Sequence, residues 1–114
     1  MKRLVVLASG NGSNLQAIID ACADGTLPAS VVAVVSDVAH ARALQRAETA
    51  GVPGVHVGRR PGEPRTDYDA RLAEVVTGFD PHTVVLAGSQ SPKYFAMVLC
   101  MASASRKSVR YFVT

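Results

Sequence analysis

Residues 3–15 read RLVVLASGNGSNL, and this stretch decides the fold because it joins an apolar run, a glycine-rich turn and the start of a helix. Residues 3–8 are almost continuously apolar, which is typical of a strand buried on both faces. An apolar repeat at helical spacing begins at Leu15 and predicts a helix over residues 13–23. The chain therefore opens with a strand that turns directly into a helix.

The rest of the chain continues the same alternation of short β-branched runs and amphipathic segments. Further strands are predicted at residues 30–36, 54–57, 83–87 and 109–113, and further helices around residues 41–47, 68–76 and 94–101. Strands that are apolar on both faces and separated by helices indicate a parallel sheet with helices on both faces, a Rossmann-like α/β fold. Ligands bind such sheets at the carboxyl ends of the strands.

Composition narrows the class of protein. The 114 residues suit one domain, and 48% hydrophobic with 18% charged residues is a globular composition. No apolar run approaches the roughly 20 residues that span a bilayer, so we expect a cytoplasmic protein without a membrane partner. Cys22 and Cys100 are isolated and lack metal-ligand spacing, so no metal site is predicted.

The net charge of +3 is unevenly distributed. Residues 1–88 contain eight Lys or Arg and nine Asp or Glu, whereas residues 89–114 contain four cations and no acid. Four scattered cations form a poor electrostatic footprint for nucleic acid, so no nucleic-acid partner is expected.

The turn between the first strand and the first helix is suited to bind a phosphate. Gly10 and Gly12 can adopt positive φ and allow close approach to the backbone. Ser13 and Asn14 are expected at the helix N-cap, where unpaired N–H groups and the helix dipole favour an anion such as a phosphate monoester. The alternative is a tight strand-to-helix turn with a serine cap and no ligand.

Two other phosphate loops fit the sequence less well. A Walker loop needs a Gly-Lys-Ser/Thr ending, and this turn contains no lysine. A dinucleotide fingerprint needs a third glycine where this chain has Leu15, although Asp37 at the end of the second strand imitates the ribose-binding acid. An NAD-linked Rossmann fragment is therefore a disfavoured alternative.

Residues 5–21, VVLASGNGSNLQAIIDA, resemble the opening of the phosphoribosylglycinamide formyltransferase (GAR transformylase) family. The resemblance continues in order to residue 88 through the segments VVAVVSD (31–37), ALQRA (43–47), AGVP (50–53), RTDYDARL (65–72) and DPHTVVLAG (80–88). It implies that residues 1–88 are the N-terminal half of the formyltransferase fold.

The resemblance also implies an activity and site residues. Such enzymes transfer a formyl group from 10-formyltetrahydrofolate, the co-substrate, to the amine of glycinamide ribonucleotide. Position by position, Gly12, Ser13 and Asn14 would bind the ribose phosphate and Gly88 would lie beside the substrate. Arg65 matches a position that contacts the folate; alternatively, it is a solvated charge at a helix start.

The resemblance ends after Gly88. The family continues with an Asn-x-His-Pro motif and a later catalytic Asp, whereas this chain has no asparagine outside the turn, no His-Pro pair and no acid after Asp80. No catalytic residue is therefore assigned. We expect a phosphoribosyl-substrate-binding half-domain at 1–88 and a divergent basic tail at 89–114.

Two expectations follow from this departure. The polypeptide should be a truncated family member that is inactive on its own, and a non-catalytic nucleotide-phosphate-binding module is the alternative. Loss of the family's cover over the fourth strand should give marginal stability or self-association.

Overall fold

The computed structural model describes residues 2–8, 12–58, 60–86 and 110–113. In this part of the chain the elements are β1 (Lys2–Leu7), α1 (Ser13–Ala23), β2 (Ala29–Ser36), α2 (Arg42–Thr49), β3 (Gly54–His56), α3 (Arg65–Gly78), β4 (Thr83–Leu86) and β5 (Arg110–Val113). None of these helices is long and apolar enough to cross a membrane.

All five strands run parallel in one sheet, in the order β3-β2-β1-β4-β5. β1 is central: its Leu7 pairs with Val35 of β2 and with Leu86 of β4. The last four residues of β1 are all buried, because helices cover both faces of this strand. The parallel α/β sheet expected from the sequence is confirmed.

Helices pack on opposite faces of the sheet. The apolar stripe of α3 contributes Tyr68, Leu72 and Val76 to one core cluster, against Val5, Leu7, Ala33, Val35 and Val84 of the sheet. α1 and α2 contribute Leu15, Ala43 and Ala47 to the other, against Val6, Val34 and Val85. Successive side chains of a strand point to opposite faces of the sheet, so alternate residues of β1 belong to different core clusters.

The tail predicted at residues 89–114 contributes a strand to this sheet. Arg110–Val113 form β5, which pairs in parallel with Thr83–Leu86 of β4. The final strand expected from the sequence is therefore confirmed, whereas the helix expected at residues 94–101 lies outside the described residues. The division into a half-domain and a tail stays a prediction.

The strand order creates a topological switch point between β1 and β4. From β1 the chain moves outward to β2 and β3 by way of α1 and α2, and α3 then carries it back across the sheet to β4. Leu7 and Leu86 pair near the carboxyl ends of the two strands, so the connections that follow them leave the same edge. Ligands of open parallel sheets bind at such a point.

His82 lies at the opposite edge, before β4. Its Nδ1 accepts the Arg3 backbone N–H at 2.9 Å, and its own backbone N–H donates to the Arg3 carbonyl oxygen at 2.9 Å. His82 thus joins the amino ends of β1 and β4, away from the carboxyl edge.

Candidate phosphate-binding site

Gly12 forms the turn that starts α1. It has φ +80° and ψ 20°, the left-handed region that glycine enters at no steric cost, and its carbonyl oxygen accepts the Gln16 N–H at 2.8 Å. The positive φ expected at Gly12 is confirmed. The turn lies just after the carboxyl end of β1, at the switch point.

The N-cap of α1 is Gly12, and the expectation of a Ser13 or Asn14 cap is wrong by one or two residues. Ser13 is the first helical residue, and Gly12 makes no side-chain capping hydrogen bond. An N-cap side chain usually accepts an N–H from the first turn, and glycine has no side chain to do this. The N-cap residue itself therefore supplies no acceptor to the first turn of α1.

The electrostatic setting of this turn favours an anion. α1 has no acidic residue in its first turn, whereas α3 has Asp67 in its own. The Ser13 and Asn14 side chains are both exposed at the start of α1. The partial positive charge at the start of α1 is thus not offset by a carboxylate within that turn.

The opposite side of Gly12 packs against α2. A Cβ at Gly12 would lie 2.9 Å from Ala43 Cα, 3.1 Å from Ala43 Cβ and 3.1 Å from Arg46 Cδ. The position that a Cβ at Gly12 would take is thus already occupied by α2, and not left open for a ligand. Glycine is therefore required at residue 12 both by its φ and by its contact with a neighbouring helix.

A hydrogen-bond chain connects the same two helices. Nη1 of Arg46 donates to Oε1 of Gln16 at 3.2 Å, and Nε2 of Gln16 donates to Oδ1 of Asp20 at 2.9 Å. Gln16 is the residue whose backbone N–H binds the Gly12 carbonyl. Arg46 on α2 is therefore linked to the first turn of α1.

Arg65, the expected folate contact, is the first residue of α3. Its Nε donates to the Asp69 carboxylate at 3.2 and 3.4 Å, and its guanidinium lies 6.0 Å from the Tyr68 ring centroid. The Arg65 side chain is 42% exposed and that of Asp69 5%. Arg65 therefore balances a buried carboxylate while remaining accessible to solvent.

The loop before α3 is fixed by a second ion pair. Arg71 donates to both Glu63 carboxylate oxygens, at 2.8 and 3.2 Å, and to the Gly58 carbonyl oxygen. The Glu63 carboxylate also accepts the Arg60 backbone N–H at 3.1 Å. Its hydrogen bonds to Arg71 and Arg60 lower the pKa of Glu63 to about 2. These contacts fix the loop that leads into α3, whose first residue is Arg65.

Asp37, the acid of the dinucleotide alternative, lies near the α3 face. Burial and the nearby Asp37 charge raise the pKa of Tyr68 to about 12, and the Tyr68 hydroxyl donates to the Val57 carbonyl oxygen at 2.8 Å. Tyr68 belongs to the core under α3, on the other side of the sheet from α1. This position disfavours a ribose contact at the start of α1.

Comparison with known proteins assigns the family. The family model described as formyl transferase matches residues 2–91. This chain belongs to the formyl transferase family.

The similar proteins within the family include phosphoribosylglycinamide formyltransferases. The Escherichia coli (strain K12) enzyme is 45% identical over 85 residues, which are 75% of this chain and 40% of that protein. The Haemophilus influenzae enzyme is 38% identical over 88 residues, 77% of this chain and 42% of that protein. This formyl transferase chain therefore spans about two fifths of the length of those curated relatives.

Solved structures of such enzymes have the same fold. Glycinamide ribonucleotide transformylase 1 from Symbiobacterium toebii matches with a TM-score of 0.72 and 44% identity, over 75% of this chain and 41% of that one. The formyltransferase from Coxiella burnetii, in complex with CHES, matches with a TM-score of 0.72 and 41% identity, over 76% and 41% of the two chains. The resemblance drawn from the turn and the segments after it is confirmed.

The expected site residues are only partly within the described ranges. Gly12, Ser13 and Asn14 lie together at the start of α1, and Arg65 lies at the start of a different helix on the other face of the sheet. Gly88 and the turn residues Gly10 and Asn11 lie outside the described residues. Among the residues that the structure describes, no group of three or more metal-binding side chains comes together.

Sequence reasoning missed the support that α2 gives to the turn. Ala43 and Arg46 are about thirty residues from Gly12, and no local pattern connects them. Asp69 was missed because an acid on an amphipathic helix is ordinarily exposed.

Proposed function

We propose that this chain binds the phosphate of glycinamide ribonucleotide at the start of α1 and forms the substrate-binding part of a phosphoribosylglycinamide formyltransferase. The observation that carries the proposal is the left-handed Gly12 turn at the switch point of the sheet, where the N-cap residue of α1 has no side chain to accept a first-turn N–H. The family membership supports glycinamide ribonucleotide as the ligand.

Three residues would make the phosphate contacts. The backbone N–H groups of Gly12, Ser13 and Asn14 supply fixed donors, and the exposed hydroxyl and amide side chains of Ser13 and Asn14 supply others. The half-charge at a helix N-terminus typically favours an anion by about 0.3–1 kcal/mol at an exposed site, and each charge-assisted hydrogen bond adds to it. Gly88 would lie beside the substrate.

Arg65 is proposed to contact the folate of 10-formyltetrahydrofolate. Two observations support this role: its guanidinium is partly exposed, and Asp69 holds it at the start of α3. A guanidinium presents several N–H donors in a planar arrangement, which suits recognition of anionic and carbonyl groups.

Formyl transfer itself requires more than substrate binding. The substrate amine attacks the formyl carbon, a tetrahedral oxyanion develops, and protons leave the amine and reach the departing folate nitrogen. Binding a phosphate equally well in ground and transition states does not accelerate these steps. We propose that this polypeptide on its own binds the ribonucleotide without turning it over, because no asparagine, histidine or acid follows Gly88.

A non-catalytic phosphate-binding module is the second candidate. The Gly12 turn also favours this candidate, because the turn would recognise the phosphate group and not the rest of the ligand. Calorimetry on the full 114-residue chain separates the two, with glycinamide ribonucleotide, ribose 5-phosphate, dephosphorylated glycinamide riboside and NAD as ligands.

The formyltransferase proposal predicts that glycinamide ribonucleotide binds most tightly and that the riboside binds at least tenfold more weakly. Equal affinity for glycinamide ribonucleotide and ribose 5-phosphate would favour the simple module. Preference for NAD, or binding of the riboside as tight as that of the ribonucleotide, would contradict a phosphate site of either kind.

A further inference from the structure

The N-cap residue of α1 is a glycine and has no side chain with which to fix the start of the helix. Gly12 makes no side-chain capping hydrogen bond, and glycine loses more backbone freedom on folding than any other residue. A phosphate site built from backbone N–H groups nevertheless needs those groups in place before the ligand arrives, since ordering them on binding lowers affinity. Contacts that restrain Gly12 from elsewhere in the fold therefore matter for such a site.

α2 supplies such contacts through Ala43 and Arg46, and Arg46 also reaches the first turn of α1. Arg46 packs its aliphatic stem beside Gly12, so that a Cβ at Gly12 would lie 3.1 Å from its Cδ. Its guanidinium donates to Gln16 at 3.2 Å. Gln16 in turn binds the Gly12 carbonyl oxygen through its backbone N–H at 2.8 Å, which is the first helical hydrogen bond of α1. Gly12, Gln16 and Arg46 thus form a closed ring of contacts.

We infer that Arg46 is a positioning residue for the phosphate site. It holds the Gly12 turn and the first helical bond in the arrangement that directs the N–H groups of residues 12–14 toward one anion. The inference rests on the proposed phosphate-binding function and adds to it a residue that does not touch the ligand. A long, unbranched stem that ends in a hydrogen-bond donor is needed to contact both Gly12 and Gln16.

The test is calorimetry on the full 114-residue chain with ribose 5-phosphate as the probe. Arg46→Met keeps the unbranched stem and removes the guanidinium, and Gln16→Met removes the same hydrogen bond from the α1 side. Each variant should weaken binding about five- to tenfold, the range expected for a partly exposed hydrogen bond to a charged group. The double variant should bind no more weakly than the weaker single variant, because both changes remove one interaction.

Two further variants separate positioning from charge and from stability. Arg42→Met removes the same charge from an exposed position of α2 and should change affinity less than about twofold. Arg46→Lys keeps the stem, the charge and a donor, and should retain affinity within about threefold. A purely structural role would lower the free energy of unfolding without changing the dissociation constant of the folded protein.

The outcomes are distinct. If the unsubstituted chain does not bind ribose 5-phosphate, the proposed function fails. If it binds and both Met variants at residues 16 and 46 stay within twofold of it, the function stands and the positioning inference is overturned. Equal losses in Arg46→Met and Arg42→Met, or fully additive losses in the double variant, also overturn it. Gln16→Met decides the question if Arg46→Met fails to fold.

Discussion

Replacing Gly12 by alanine tests whether α2, as well as the backbone conformation, dictates glycine at this turn. Gly25, after the end of α1, supplies a matched control: its φ is +84°, close to +80° at Gly12, but a Cβ there would meet nothing within 4 Å. Both alanine variants force a non-glycine residue into the left-handed region. Only the variant at residue 12 also pushes a methyl group into α2.

The structure sets the magnitude of each effect. Left-handed backbone costs a non-glycine residue roughly 1–2 kcal/mol, and the smaller entropy of the unfolded alanine chain offsets about 0.4–1 kcal/mol of that. Gly25→Ala should therefore lower the free energy of unfolding by about 1 kcal/mol. Gly12→Ala adds the 2.9 Å contact with Ala43 Cα, which is backbone and cannot rotate away. Overpacking of this kind costs about 1–3 kcal/mol, for a total of about 2–4 kcal/mol.

Urea denaturation of the two variants, followed by circular dichroism, measures the difference. A drop at Gly12→Ala that is at least about 1 kcal/mol larger than at Gly25→Ala is the expected result. Equal drops would refute the packing of Gly12 against α2. In that case any loss of phosphate binding in Gly12→Ala would have to come from the ligand side of the turn.

Three other predictions follow from named contacts. Asn14→Asp should raise the free energy of unfolding by about 0.3–1 kcal/mol, because a negative charge is favourable in the first turn of a helix. The same variant should weaken ribose 5-phosphate binding about tenfold or more through charge repulsion; denaturation and calorimetry measure the two effects, and tighter binding would contradict the prediction. The pKa of Glu63 is lowered to about 2 from 4.5, so its ion pair with Arg71 stabilises the loop fully above pH 4.5 and is lost as the pH falls through about 2. The carboxyl carbon of Glu63 should titrate near 2 by NMR, and at a higher pH in Arg71→Met, where only the Arg60 N–H still favours the carboxylate; a midpoint above 4 in the unsubstituted chain would rule out the pair. The 114-residue chain should give no formyl transfer above a no-enzyme control when it is incubated with 10-formyltetrahydrofolate and glycinamide ribonucleotide. Turnover that Asn14→Ala abolishes would instead show that the tail supplies a working catalytic group.

The parts of the fold that depend on neighbouring residues could be predicted from the sequence. α1 covers the predicted residues 13–23, because Gly12 starts it and a glycine at residue 25, with φ +84°, follows its end. The buried strands β1, β2 and β4 lie within a residue of their predicted bounds, since continuous apolar runs mark strands covered on both faces. α2 extends to Thr49, beyond the predicted apolar stripe, because its last turn is exposed and polar.

The candidate site depends more on contacts between distant residues. The glycine turn was predictable because its conformation is encoded locally, but the cap was misplaced because serine and asparagine are common caps and glycine competes with them. The role of α2 was not predictable: Gly12 and Arg46 come together only when β2 brings the chain back beside β1. Arg65 shows the same limit, since its pairing with a buried Asp69 depends on how α3 lies on the sheet.

The most direct test of the central claim is an NMR titration of the ¹⁵N-labelled full chain with glycinamide ribonucleotide and, separately, with its dephosphorylated riboside. If the phosphate binds at the start of α1, the amide signals of residues 12–15 should shift most and saturate with the ribonucleotide, and should hardly move with the riboside. The first-turn amides of α3, where Asp67 disfavours an anion, provide an internal control. Shifts centred on α3, or equal shifts with both ligands, would contradict a phosphate site at the Gly12 turn.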